Sequence, residues 1–454
     1  MRLGWSGDPG AEPDPAGIGV GAGLALERSR WSGRRGAALG AAGFGVALVA
    51  FVVVTTPWTV LPAPVGGRTP VRVRDDFTAT QLATENAFHH AVQPWSYAAL
   101  LAGLAVSAVL GLTPAGGWLV RVVARPFGGG WAWQVGLGGV ALAAVGQLTA
   151  LPFAVHNERV FRRYGVSTQD WSAWAADVGR GFGLDVGLTA VALIGFYALV
   201  RLAPRTWWAW TALSGATLVI AVSFAYPVLV EPLFTRFHPM GAGPLRSSLL
   251  SLAHRDGVRV TDVLVADASA RTTSLNAYVS GFGGTRHIVV YDTLLRDATP
   301  GQVRLIVAHE LGHAKRDDVG RGTLIGALGV GLACCLGYLL LGSQRLRRRA
   351  GAGSTADPRS LALVLFLLAA GTLAATPVES LISRRVEARA DVHSLNLTGD
   401  PRTFEEMQVK LSVSNLSDLD PNPIAYALFA DHPTGPERIA LAHDWARLHG
   451  VPDT

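Results

Sequence analysis

A chain of 454 residues that is 50% hydrophobic and 16% charged, with a mean hydropathy of +0.31, is too apolar for an ordinary soluble multidomain protein. Its formal charge of +6 comes almost wholly from arginine, and no basic run is interleaved with aromatics, so no nucleic-acid partner is expected. Cys334 and Cys335 are adjacent in an apolar stretch and cannot pair without distortion, which excludes a disulfide framework and a thiolate metal site.

In chain order, residues 1 to about 36 are rich in Gly, Pro, Arg and acids without periodicity and predict a disordered tail. Seven apolar stretches follow, at about 37–61, 96–112, 131–153, 184–202, 207–230, 322–342 and 360–379. Each is near the length that crosses a hydrocarbon core of ~30 Å. Trp58, Trp95, Trp131, Trp133, Trp207 and Trp208 stand at their ends, where an interfacial belt belongs. The first stretch begins too late and runs too long for a cleavable signal. A mainly α, polytopic membrane protein is predicted, with spans one to five over 37–230 and spans six and seven over 321–380. The cluster from Arg345 to Arg349 reads as juxtamembrane, facing anionic lipid.

Residues 231–320 are polar and mixed, a small membrane-proximal α+β segment. Leu245, Leu249, Leu252 and Ala253 have helical spacing within 244–256, while 260–266 and 286–291 read as strands. An exposed edge at 286–291 would hold an extended peptide by main-chain hydrogen bonds, although a place inside a small sheet fits equally. Thr299-Pro300-Gly301-Gln302 then starts a helix, with Thr as N-cap and Gln closing a capping box. That helix runs through His309-Glu310-Leu311-Gly312-His313. Imidazoles at i and i+4 share a face and reach one metal ion, and the glutamate between them is placed to take a proton from a metal-bound water.

A catalytic zinc keeps three protein ligands and one open position. Residues 381–454 form a second catalytic segment, in which a helix over 381–398 carries Glu387 and Asp391 at i and i+4. One carboxylate can bind the metal while the other accepts the free ring N–H of a ligating histidine. The loop 418–434, rich in Pro and Asp, carries His432, the expected extra donor to the oxyanion. Arg438, on an amphipathic helix over 435–448, fits either neutralisation of Asp391 or a surface role. The residues thus predict a monomeric zinc endopeptidase with one Zn2+ per chain and Glu310 as general base, acting on peptides or membrane proteins in a lipid bilayer.

These motifs resemble those of the type I CAAX prenyl endopeptidases, integral-membrane zinc proteases of the gluzincin type. Tyr226-Pro227 with Glu231-Pro232-Leu233-Phe234, Asn276-Ala277-Tyr278, and the block from Arg286 to Leu295 are similar to that family's catalytic segment. Ser383-Arg384 with Glu387, Ala390 and Asp391 match its S-R-x-x-E-x-x-A-D, and His432-Pro433 with Glu437-Arg438 its H-P…E-R. The resemblance implies seven helices around a water-filled chamber, Glu387 as the third ligand, and a cleft lined by His432, Asn276, Ala277, Tyr278 and His287. Ala388 departs from the family's usual aromatic, and Ala314 to Asp318 are closer to bacterial heat-shock membrane metalloproteases; both bear on cleft shape and substrate choice.

A bacterial plasma membrane is the expected location. Arginines flank the spans on both sides, so charge leaves the orientation open, and the resemblance favours a cytoplasmic active site. A transporter, or a non-catalytic zinc-stabilised scaffold, would also account for the spans, but neither requires Glu310 between the histidines.

Overall fold

The computed structural model describes residues 15–451, with side chains from residue 33. Among the described residues, seven helices are long and apolar enough to cross a membrane. They are Gly33–Thr55, Ala79–Leu112, Trp131–Arg163, Trp171–Leu202, Trp207–Phe234, Asp318–Leu341 and Pro358–Thr398. Most outrun the apolar stretches that predict them, because a nucleated helix continues through polar turns. The second begins at Ala79 rather than 96, where Thr78 and Gln81 form a capping box. Residues 15–36, expected in a disordered tail, lie in the first helix, Pro15–Thr55, and residues 1–14 fall outside the described residues.

The second span packs along the third and the seventh, the third on the fourth, and the fifth on the sixth, while the first lies against the sixth. At that last contact a side chain on Gly331 would meet the Phe44 ring at 2.5 Å, so glycine sets the close approach. Val54, Leu101, Leu148, Val191 and Leu213 are exposed, as lipid-facing side chains must be.

On one side of the spans sits a four-stranded sheet of order β1-β2-β4-β3, formed by β1 Phe237–Pro239, β2 Asp262–Ala266, β3 Ala277–Ser280 and β4 His287–Tyr291. β2 and β4 are parallel; β1 and β3 pair antiparallel at the flanks. Of the two places open to the strand at 286–291, it takes the internal one, and β1 and β3 are the edges. The reason is long-range pairing: β4 is apolar on both faces, with Ile288, Val289 and Val290 all buried. Helix Pro300–Arg316 packs Val303, Ile306, Val307 and Leu311 onto Ala277, Ile288 and Val290. The predicted helix over 244–256 is Pro244–Asp256, and the segment 418–434 includes a short helix, Pro423–Phe429.

Candidate metal centre and active site

The motif helix is set in register by its start. Thr299 and Gln302 form the expected capping box, with Gln302 Oε1 accepting from the Thr299 amide at 3.0 Å. Two turns on, His309 Nε2 and His313 Nε2 stand 3.1 Å apart. The seventh-span helix Leu361–Thr398 crosses behind them and delivers Glu387, whose Oε2 lies 3.3 Å from His309 Nε2 and whose Oε1 lies 3.4 Å from His313 Nε2. Ligand bonds of about 2.0–2.1 Å in tetrahedral geometry require donors about 3.3 Å apart. The two ring nitrogens stand 3.1 Å apart and each faces its own oxygen of one Glu387 carboxylate, at 3.3 and 3.4 Å, separations of the size expected around a shared ion. Two nitrogens and one carboxylate are also a donor set that suits zinc.

Asp391, one turn beyond Glu387, is wholly buried, and its Oδ1 is 2.9 Å from His309 Nδ1. The ring therefore donates Nδ1–H there and turns its Nε2 lone pair to the Glu387 side. Arg438 donates to both oxygens of Asp391, with Nε 2.8 Å from Oδ2, so its role is neutralisation of a buried carboxylate. The two carboxylates left open by the sequence are thus distinguished by position. Sequence reasoning missed one polar partner: His313 Nδ1 is 2.9 Å from Asp318 Oδ2, and Asp318 is in turn held by Arg389.

Glu310 has a carboxylate oxygen within 4.8 Å of a ring nitrogen of both His309 and His313. Burial pushes its carboxyl up, against the pull of the two imidazoles. His432 is more than half exposed, on the far side of Glu387, with Nε2 3.5 Å from Glu387 Oε2. Its Nδ1 donates to Asp431 Oδ1 at 2.9 Å, and that bond raises the imidazole's pKa, with burial opposing. The loop that carries His432 is tied down by Arg384, which donates to the Tyr426 carbonyl at 2.9 Å and lies over the Tyr426 ring.

A cavity of about 860 Å³ opens onto the donors and is lined by Asn276, Ala277, Tyr278, Glu310, His432 and Arg438 among others. A second, of about 300 Å³, meets it at Glu310 and His313 and runs along Val279, Phe282 and Val319. Tyr278 donates to Glu231, and Ser280 does so at 3.2 Å, which ties β3 to the foot of the fifth span. Burial, reinforced by Glu231, raises the Tyr278 phenol. His287 is not brought to the site. It sits at the far end of β4, bonded to Thr261 at 2.9 Å, and lines neither cavity.

Seven helices long and apolar enough to cross a membrane, joined to an H-E-x-x-H helix, define a membrane-embedded metallopeptidase. Residues 240–446 match the model of peptidase family M48. Residues 67–236 match that of the CAAX prenyl protease N-terminal region, five membrane helices; here they hold four spans and the short helix Pro114–Ala124. An uncharacterized metalloprotease, YhfN, from Bacillus subtilis is 28% identical, over 66% of this chain and 71% of its own. A protease HtpX homolog from Aeropyrum pernix is 30% identical, over 50% and 73%. The crystal structure of S. mikatae Ste24p shares the fold, with a TM-score of 0.73 at 21% identity, covering 89% of this chain and 98% of the other. The chain belongs to peptidase family M48 and is an integral membrane protein.

Proposed function

We propose that this metallopeptidase is a zinc-dependent endopeptidase in which His309, His313 and Glu387 hold the ion and Glu310 is the general base. The observation that carries the reading is that two imidazole nitrogens 3.1 Å apart each face a separate oxygen of the Glu387 carboxylate, at 3.3 and 3.4 Å. Bound zinc would supply Lewis acidity and lower the pKa of the attacking water. Glu310 takes that water's proton on its carboxylate and hands it to the departing amine. His432, braced by Asp431, is placed to donate from Nε2, when protonated, to the oxygen that gains charge.

Substrate lies extended on the outer edge of β3. The Tyr291 amide donates to the Asn276 carbonyl at 3.0 Å, so Asn276, Tyr278 and Ser280 point their polar backbone groups at β4. Ala277 and Val279 then turn theirs outward, free to pair with a peptide. Peptides or membrane proteins admitted from the chamber are the substrate class, and prenylated ones are a narrower case. The unit acts as a monomer, since one chain supplies every ligand, and its catalytic face is read as cytoplasmic.

The test is cleavage of a quenched peptide library by zinc-loaded protein, wild type against Glu310→Ala. Equal cleavage by the two, or none by either, would defeat the reading.

A further inference from the structure

We propose that Asp318 and Arg389 are positioning residues for His313, so that metal affinity is set partly where the sixth and seventh spans meet. The inference rests on the assignment of His309, His313 and Glu387 as zinc ligands.

The geometry has two matching relays. His309 leans on Asp391, and Asp391 on Arg438. In the same way His313 Nδ1 lies 2.9 Å from Asp318 Oδ2, and Arg389 Nη2 lies 2.5 and 2.6 Å from the two Asp318 oxygens. The side chains of His313, Asp318 and Arg389 are only 20%, 13% and 16% exposed. An imidazole that donates Nδ1–H to a fixed carboxylate is locked in tautomer and orientation. For His313 this leaves the Nε2 lone pair on the side of Glu387, 3.4 Å from Oε1.

The two relays differ in where the carboxylate comes from. Asp391 shares a helix with Glu387, so one rigid element sets both. Asp318 opens the sixth span, and a single residue, Asp317 at φ 52° and ψ 48°, joins it to the motif helix. That left-handed kink folds the start of the span back onto His313; a helix continuing straight would carry residue 318 away from it. Asp317 is largely exposed and faces Arg286 at 3.8 Å, so Asp318 alone of the pair serves the histidine. Arg389 completes the bridge from the seventh span.

Purified protein in detergent micelles, with zinc competed against a fluorescent chelator, tests this. Asp318→Ala should bind zinc about 10–100-fold more weakly. Asp318→Asn, whose amide oxygen still accepts the ring N–H, should lose less. Arg389→Met should fall between them, and adding it to Asp318→Ala should cost nothing more, because Arg389 acts through Asp318. With cobalt in place of zinc, Asp318→Ala should shift the visible absorption bands. Zinc affinity in Asp318→Ala within about two-fold of wild type, or losses that multiply in the double variant, would overturn the proposal. Should Asp318→Ala fail to fold, unchanged cobalt spectra in both Asp318→Asn and Arg389→Met would do the same. His309→Ala is the control: if it keeps zinc, the ligand assignment itself fails; if it loses zinc while Asp318→Ala does not, only this inference falls.

Discussion

Glu310 and His432 approach the metal centre from different elements, and their substitutions should report different steps. Glu310→Gln removes the base and leaves every donor in place, so kcat should fall about 10²–10⁴-fold with zinc content unchanged. Cleavage rates with metal content read by mass spectrometry check this. His432→Ala deletes a donor that matters only as charge develops, so kcat should drop about 10²–10³-fold with KM nearly constant. Steady-state kinetics on one fluorogenic peptide decide it. Much of this residue layer was legible beforehand. His309 with His313, and Glu387 with Asp391, are helical neighbours whose spacing alone fixes a common face. Asp318 was not legible, since its reach to His313 depends on one left-handed residue that no periodicity announces. His287 shares a strand with Tyr291, which does line the cavity, but it lies at the opposite end and lines neither cavity.

Among the elements, β3 and the motif helix carry the most exacting demands. Val279→Pro should raise KM several-fold yet leave the sheet intact, because the amide it removes faces outward rather than into the ladder. Circular dichroism beside peptide kinetics would show whether binding falls without loss of structure. Gly312 lies where the motif helix crosses the seventh span, and an added Cβ would come within 3.0–3.1 Å of the His393 side chain. Gly312→Ala should therefore prise the two helices apart and weaken zinc binding, measured by chelator competition. Strand identity at 260–266 and 286–291 could be read from β-branched runs, as could the helices from their caps. Strand order could not. Which strand forms the edge is settled by pairing between segments distant in sequence, and the short strands Phe237–Pro239 and Ala277–Ser280 carry too few residues to announce themselves.

At the scale of the molecule, the donors come from two halves separated by two spans, so the ion should stabilise the whole assembly. Chelation should lower the melting temperature, and zinc at about 100 times its dissociation constant should restore roughly 2.7 kcal/mol. Differential scanning fluorimetry with and without chelator measures it. The seven crossings were legible from apolar length alone, whereas their order of packing rests on contacts that a single sequence does not display.

The seventh helix, Leu361–Thr398, continues through Pro377: its first turns are apolar enough to cross the hydrocarbon and its last turns carry Glu387 and Asp391. The histidines ride on a separate shaft, hinged at Asp317 to the sixth crossing. A bilayer whose thickness mismatches these helices would make them tilt, and a tilt of one against the other would change the gap between carboxylate and imidazoles. Acyl-chain length would then reach the candidate donors through the two helices that carry them rather than through a pocket.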